Sequence, residues 1–131
     1  MVLSCIDPRF QPIVYNYLKK EKLVGKYSSF TIAGSAVGVT ASKFKRWHKA
    51  FWDNFDTSVK LHNIKKLIVI NHRDCGAAKI ANGKKEFSLT NENHIDKTSF
   101  QSLKKILKKK FPKLKVDFNL MGLDKKVQKF K

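Results

Sequence analysis

The sequence predicts a single α/β domain, residues 1–131, in which a mostly parallel β-sheet is flanked by helices. Three observations predict this class. Residues 66–71 form an uninterrupted run rich in β-branched side chains, typical of a strand buried on both faces. Segments with strand character alternate along the chain with segments of helical periodicity. The length of 131 residues and a hydrophobic fraction of 42% suit one core rather than two.

In the first half of the chain, residues 1–6 predict a strand, and the turn at 7–9 predicts a loop after it. Pro12 suits the first turn of a helix, which Gly25 ends. Residues 27–33 predict a second strand, closed by a turn of small residues. A long amphipathic helix follows, and its aromatic face predicts core packing or a dimer interface. That face consists of Phe44, Trp47, Phe51, Trp52, Phe55 and Val59.

The second half continues the alternation. After the strand at 66–71, a loop at 72–76 leads into a helix that begins at Ala77. Following a polar stretch, apolar residues between Phe100 and Leu107 predict another helix, stopped near Pro112. The remaining segments, 114–121 and 127–130, predict a strand and a short edge strand.

The net charge of +18 is the most unusual feature of the composition. The basic residues are 25 lysines and only three arginines, whereas surfaces that recognise phosphate or bases usually depend on arginine. The only dense lysine cluster, 104–115, falls on the polar face of a predicted helix, so specific nucleic-acid binding is not expected. No apolar run reaches the roughly 18–20 residues of a membrane span, and the start has no basic signal region. We therefore expect a cytoplasmic protein without a membrane partner.

Two cysteines and a histidine follow the carboxyl ends of two predicted strands. Cys5 follows the first strand, and His72 and Cys75 follow the strand at 66–71. If these strands are neighbours, and the second strand lies outside the first, both loops meet where open parallel sheets bind ligands. One imidazole and two thiolates suit Zn²⁺, and three protein ligands leave a fourth position open, as in catalytic sites. A Cys5–Cys75 disulfide, a hydrogen-bonded loop histidine and buried core thiols are the alternatives at this point.

A second motif, Cys5-Ile-Asp7-Pro-Arg9, strengthens the zinc prediction. A carboxylate two residues from a zinc thiolate can reach the metal or accept a hydrogen bond from its hydroxide. A guanidinium two residues further on can hold that carboxylate through a bidentate pair. The alternative for Asp7 and Arg9 is a surface turn with a weak ion pair.

These residues resemble the two zinc-binding motifs of the β-class carbonic anhydrases. The first is Cys5-x-Asp7-x-Arg9, and the second is the stretch 64–77, Ile-Lys-Lys-Leu-Ile-Val-Ile-Asn-His-Arg-Asp-Cys-Gly-Ala. Ala33-Gly34 stands where that family has a short Ala-Gly turn lining the site, and 116–129 resembles its closing strand and hairpin. Pro8 departs from the serine that is common inside the first motif.

The resemblance implies a zinc lyase that hydrates carbon dioxide to bicarbonate. Cys5, His72 and Cys75 would be the metal ligands, with Asp7 orienting the hydroxide and Arg9 fixing Asp7. Ala33, Gly34 and Gly76 would line the substrate site. The implied assembly is a homodimer or a dimer of dimers.

Two other functions remain open from the sequence. The same scaffold resembles enzymes that hydrolyse CS₂ or carbonyl sulfide, where substrate access rather than the ligand set decides the reaction. A non-catalytic zinc module could instead bind nucleic acid or another polyanion through its lysines.

Overall fold

Five strands form one sheet in the order β2-β1-β3-β4-β5 in the computed structural model, which describes residues 1–131. The first four strands run parallel, and β5 pairs antiparallel with β4. The strands are β1 (Val2–Ser4), β2 (Ser29–Thr31), β3 (Lys66–His72), β4 (Lys115–Met121) and β5 (Val127–Phe130). This arrangement places β1 directly beside β3, with β2 outside β1, as the zinc prediction requires.

Helices cover both faces of the sheet. They are α1 (Gln11–Lys20), α2 (Ala36–Thr40), α3 (Lys45–His62), α4 (Gly76–Ala81) and α5 (Leu89–Lys110), with short 3₁₀ turns at Pro8–Phe10 and Ser42–Phe44. None of these helices combines the length and the hydropathy needed to cross a lipid bilayer.

The central strand β3 contributes to the core on both faces, because successive side chains of a strand point in opposite directions. Ile68 and Ile70 pack with the buried stripe of α1. Leu67 and Val69 pack on the other face with the aromatic side chains of α3 and the apolar stripe of α5. The apolar run at 66–71 is therefore explained by burial on both sides.

Local signals account for the helix ends. Pro12 lies in the first turn of α1, where a missing N–H costs no hydrogen bond. Asn63 ends α3 in the left-handed conformation with φ of 48°. The hydroxyl of Ser88 accepts a hydrogen bond from the backbone N–H of Asn91 and caps α5.

The predicted fold class is confirmed, and the largest differences from the prediction concern three element boundaries. The strand predicted at 27–33 is only three residues long, because β2 is an edge strand with an exposed face. The residues predicted as a closing turn lead directly into α2, which begins at Ala36. Helix α5 begins at Leu89, eleven residues before Phe100, so its first three turns include part of the polar stretch for which the sequence predicted no helix. Apolar periodicity misses such turns because their buried side chains, Glu92, Asp96 and Ser99, are polar.

Candidate metal centre

The loops after β1 and β3 bring three metal-binding side chains together. One donor atom from each of Cys5, His72 and Cys75 lies within 4.8 Å of the other two. All three residues are buried, with at most 6% of their surface exposed. Both cysteines are free thiols, so the disulfide alternative does not describe this structure.

Cys5 lies at the carboxyl end of β1 and faces the turn that precedes α2. The backbone N–H of Gly34 donates a hydrogen bond of 3.3 Å to the Cys5 sulfur. Gly34 has φ of +83°, a conformation that favours glycine. Gly38 lets α2 pack against this turn, since a Cβ there would come within 2.2 Å of the Ala33 carbonyl oxygen. Gly34 therefore borders the cluster, and Ala33 precedes it in the same turn.

His72, the last residue of β3, is fixed on two sides. Its Nδ1 lies 2.7 Å from the Arg73 carbonyl oxygen, so it is the nitrogen that carries the proton of the neutral ring. Its ring stacks on Phe10 with a centroid distance of 4.0 Å. The remaining nitrogen, Nε2, is buried and makes no hydrogen bond. An unpartnered buried nitrogen facing two sulfurs is the arrangement expected of a metal ligand.

The two sulfurs influence each other's ionisation. The hydrogen bond from Cys75 is the main cause that lowers the pKa of Cys5 to about 4, although burial alone would raise it. The neighbouring Cys5 sulfur and burial raise the pKa of Cys75. Burial lowers the pKa of His72, but the Cys5 sulfur, the Arg73 carbonyl oxygen and the Asp7 charge together outweigh it and raise that pKa overall. Cys5 thus favours the thiolate, which is the form that binds metals.

Asp7 lies beside the cluster, with its Oδ2 3.8 Å from His72 Nε2. Both of its oxygens accept hydrogen bonds from Arg9: Oδ1 from the backbone N–H at 2.9 Å, and Oδ2 from Nη2 at 2.7 Å. The side-chain hydrogen bond from Arg9 is the main cause that lowers the pKa of Asp7. Asp7 therefore stays an ionised acceptor next to the three donors.

The donor set and its geometry fit zinc. With Zn–S near 2.3 Å and Zn–N near 2.0–2.1 Å, tetrahedral ligand atoms lie roughly 3.5–3.8 Å apart. The observed separations, all within 4.8 Å, need only small side-chain movements to reach that range. Two sulfurs and one nitrogen also match the softness of this ion.

Gly76, the third residue predicted to line the substrate site, begins α4 directly after Cys75. It is exposed, and a Cβ built on it would meet no atom within 4 Å. Its proximity to the cluster therefore comes from chain connectivity rather than from a close contact. The substrate-binding roles of Ala33, Gly34 and Gly76 stay predictions.

Comparison with known proteins identifies the family. A family model described as "Putative carbonic anhydrase" matches residues 1–118. The chain belongs to this carbonic anhydrase family. Two relatives, both described only as uncharacterized proteins, come from Rickettsia conorii (strain ATCC VR-613 / Malish 7) and Rickettsia bellii (strain RML369-C). They are 30% and 31% identical to it over 125 residues, which cover 95% of this chain and 67% and 76% of the relatives.

Solved carbonic anhydrases share the fold. The enzyme from Glaciozyma antarctica superposes with a TM-score of 0.58 at 19% identity, covering 98% of this chain and 79% of that one. The Streptococcus mutans carbonic anhydrase gives 0.56 at 13% identity, covering 99% and 80%. The β-carbonic anhydrase CafA of Aspergillus fumigatus gives 0.56 at 13% identity, covering 99% and 74%. At these identities the comparison establishes the fold and leaves the chemistry of this family member to its own residues.

Sequence analysis missed the residues that hold the two loops in place. The Gln11 side-chain amide donates to the carbonyl oxygens of Cys5 and Asp7, both at 2.9 Å. Glu92 accepts from the backbone N–H of Asp74 at 2.7 Å. Asp74 could have been noticed, because it is a carboxylate inside the His-x-x-Cys motif. Glu92 carries no such signal, since its contact depends on where α5 begins.

Proposed function

We propose that this protein is a zinc-dependent carbonic anhydrase, which interconverts carbon dioxide and bicarbonate. The observation that carries the proposal is the convergence of Cys5, His72 and Cys75 beside a carboxylate that Arg9 keeps ionised. Cys5, His72 and Cys75 would hold the ion. In such a site zinc supplies a nucleophilic hydroxide at neutral pH by lowering the pKa of a water to about 7.

Asp7 would orient the nucleophile. The backbone N–H, Nε and Nη2 of Arg9 donate to its two oxygens, which leaves about one of their four acceptor positions for a further donor, and its Oδ2 already lies close to the donor cluster. An ionised carboxylate there would accept a hydrogen bond from a hydroxyl group and so direct a lone pair of the hydroxyl oxygen toward carbon. Arg9 supports this role by opposing protonation of Asp7.

The walls of the site suit a small apolar substrate. Cys5 and Cys75 pack with Val37, Phe44 and Ala78 in one apolar cluster. Ile6, between Cys5 and Asp7, is 58% exposed and offers apolar surface at the mouth. Carbon dioxide has no hydrogen-bond donor, so apolar walls and few polar contacts match its chemistry.

Stopped-flow carbon dioxide hydration by zinc-loaded protein tests the proposal, with Asp7→Asn as the decisive variant. Asparagine keeps the size of the side chain but loses the charge. We expect the wild type to bind one zinc and to accelerate hydration well above buffer. Asp7→Asn should keep its zinc and lose activity by roughly 10²-fold, the scale of a misoriented nucleophile.

Asp53→Asn is the matched control, because Asp53 is an exposed carboxylate that pairs with Lys49 on the outside of α3. It should retain wild-type kinetics. A zinc-loaded wild type no faster than buffer would contradict the proposal. Hydrolysis of CS₂ or carbonyl sulfide by that same preparation would then assign the site to the alternative reaction.

A further inference from the structure

Arg9 contacts a second carboxylate besides Asp7. Its Nη1 donates to Asp74 Oδ2 at 3.0 Å, and its Nη2 donates to the Asp74 carbonyl oxygen, also at 3.0 Å. On its other side, Nε and Nη2 donate to Asp7. The guanidinium therefore joins the loop after β1 to the loop after β3, across 65 positions of sequence.

Asp74 is itself held by two other contacts. Its backbone N–H donates to Glu92 Oε2 at 2.7 Å, and its Oδ1 accepts from the ammonium group of Lys79. Glu92 is only 9% exposed and also accepts from Arg73 Nη1 at 2.9 Å. Asp74 has φ of 55°, a left-handed conformation that aspartate tolerates better than most residues. These contacts fix both the backbone and the carboxylate of Asp74 in front of Arg9.

Arg9 needs such an anchor, because little else restrains it. Its side chain is 42% exposed, and besides its contacts with Asp7 and Asp74 the guanidinium approaches the Phe10 ring, with its Cζ 5.8 Å from the centroid. A long side chain loses much rotamer entropy when it is fixed, and a single exposed ion pair offsets little of that loss. The ion pair with Asp7 alone fixes the orientation of the guanidinium only weakly. Hydrogen bonds to the carboxylates of both Asp7 and Asp74 restrain it on two sides.

We propose that Asp74 is a positioning residue of this site, which holds the Arg9 guanidinium turned toward Asp7. The consequence for catalysis rests on the proposed function, but the orientation of Arg9 does not. The two are therefore tested by separate measurements.

Two substitutions separate the carboxylate of Asp74 from its backbone conformation. Asp74→Asn keeps an oxygen acceptor and tolerates the left-handed backbone, but loses the charge. Asp74→Gly removes the side chain entirely and suits φ of 55° better than aspartate does. If Asp74 acts only through its backbone, the glycine variant should be harmless. If it acts on Arg9, the glycine variant should be the more severe of the two.

The orientation of Arg9 can be followed by ¹⁵N NMR of the arginine side chains. The chain has only three arginines, so the Nε–H region contains three signals, which single Arg→Lys variants assign. Arg46, which lies over Trp47, serves as an internal reference. In the wild type we expect a sharp, slowly exchanging Arg9 signal. In Asp74→Gly its hydrogen exchange should be about tenfold faster, since charge-assisted hydrogen bonds are lost, and Asp74→Asn should fall between. Asp53→Asn, which removes a carboxylate of similar exposure, should leave all three signals unchanged.

Kinetics then show whether the orientation matters. We expect Asp74→Gly to lower kcat by about tenfold, with KM and zinc affinity within roughly threefold of wild type. An Arg9 signal in Asp74→Gly with wild-type shift and exchange would overturn the proposal, whatever the activity. A loosened Arg9 signal with unchanged kcat in an active enzyme would also overturn it. If the wild type proves inactive, the Arg9 signal still decides whether Asp74 positions Arg9, and only the proposed function fails.

Discussion

The two edges of the sheet differ in how their polar groups are arranged. At the carboxyl edge, the loops after β1 and β3 bring three buried donors within 4.8 Å of one another, and each loop is tied by side-chain hydrogen bonds. At the amino edge lies a cavity of about 690 Å³, lined by residues such as Tyr17, His62 and Lys65. No cluster of metal-binding side chains occurs there. The candidate site is therefore identified by metal-binding atoms that converge and are held in place, rather than by the volume of a cavity.

The topology produces this difference. In a parallel α/β sheet the strands end at the carboxyl edge, while the helices that lead into them end at the amino edge. The last turns of α1, α3 and α5 all carry basic residues, including Lys20, Lys60 and Lys110. Cations are favourable at helix carboxyl termini because they complement the helix dipole. Much of the lysine excess at the amino edge therefore has a structural explanation.

The largest expected effect compares one histidine from each edge. His72→Ala removes a donor from the cluster, so we expect it to abolish stoichiometric zinc binding, whereas His62→Ala at the amino-edge cavity should keep one zinc per chain. Since zinc binding free energy is also folding free energy, the His72 variant should unfold at markedly lower urea concentration than zinc-loaded wild type. Metal analysis after desalting and urea titration with and without chelator measure both effects.

Cys75→Ser extends this test without removing an aromatic stacking partner, as His72→Ala does with Phe10. Serine is nearly the same size but a poor zinc ligand, so zinc should again be lost. One zinc per chain retained in both variants would show that the ligand set is wrong. Loss of zinc from His62→Ala would show that the metal binds at the amino edge rather than at the carboxyl edge.

The sequence could predict the features of these two edges that depend on neighbouring residues, but not those that depend on contacts between distant segments. Cys5, His72 and Cys75 could be predicted, because each lies at or just after the end of a strand and each of the two motifs spans only a few consecutive residues. The contacts of Glu92 and Gln11 could not, since they depend on where a helix begins and how it crosses a loop. The early start of α5 was missed for a related reason: its buried face carries Glu92 and Asp96, which apolar periodicity does not recognise.

A polar network beneath the carboxyl edge gives the second expected effect. Asp96 is 3% exposed, and its Oδ1 accepts from Asn71 Nδ2 at 2.8 Å. Burial raises the pKa of Asp96 to about 7, and the nearby Glu92 charge adds to this, while the Asn71 hydrogen bond opposes it. The folded state therefore holds a proton that the unfolded chain releases near pH 4. This contribution stabilises the fold at low pH and is lost as pH rises from about 4 to about 7.

Asp96→Asn should remove this pH dependence, because asparagine is uncharged and can still accept from Asn71. We expect the variant to gain stability over wild type between pH 5 and pH 8, by an amount on the order of 2 kcal/mol. Urea unfolding at several pH values measures it. Asp117→Asn is the amino-edge control, an exposed partner of Lys66, and should change the free energy of unfolding by less than about 1 kcal/mol throughout. An identical pH slope in wild type and Asp96→Asn would show that Asp96 ionises without cost.

The smallest expected effect is a shift in the pH midpoint of activity at the carboxyl edge, caused by the charge of lysines at the amino edge. In helix α5, Glu92 lies beside the candidate site, and Lys110 lies about 27 Å further along the helix axis. Each Lys→Glu change lowers the net charge by two, so the triple variant Lys105→Glu, Lys108→Glu and Lys109→Glu carries +12 instead of +18.

A positive field favours the basic, anionic form of the candidate site, and salt screens that field. We therefore expect the pH midpoint of carbon dioxide hydration to rise with ionic strength in the wild type. In the triple variant it should already be higher at about 0.01 M salt, by about 0.3 pH units, and should match the wild type at about 0.15 M, where the screening length is near 8 Å. A wild-type midpoint that is flat across this range would show that the lysines act only at their own edge.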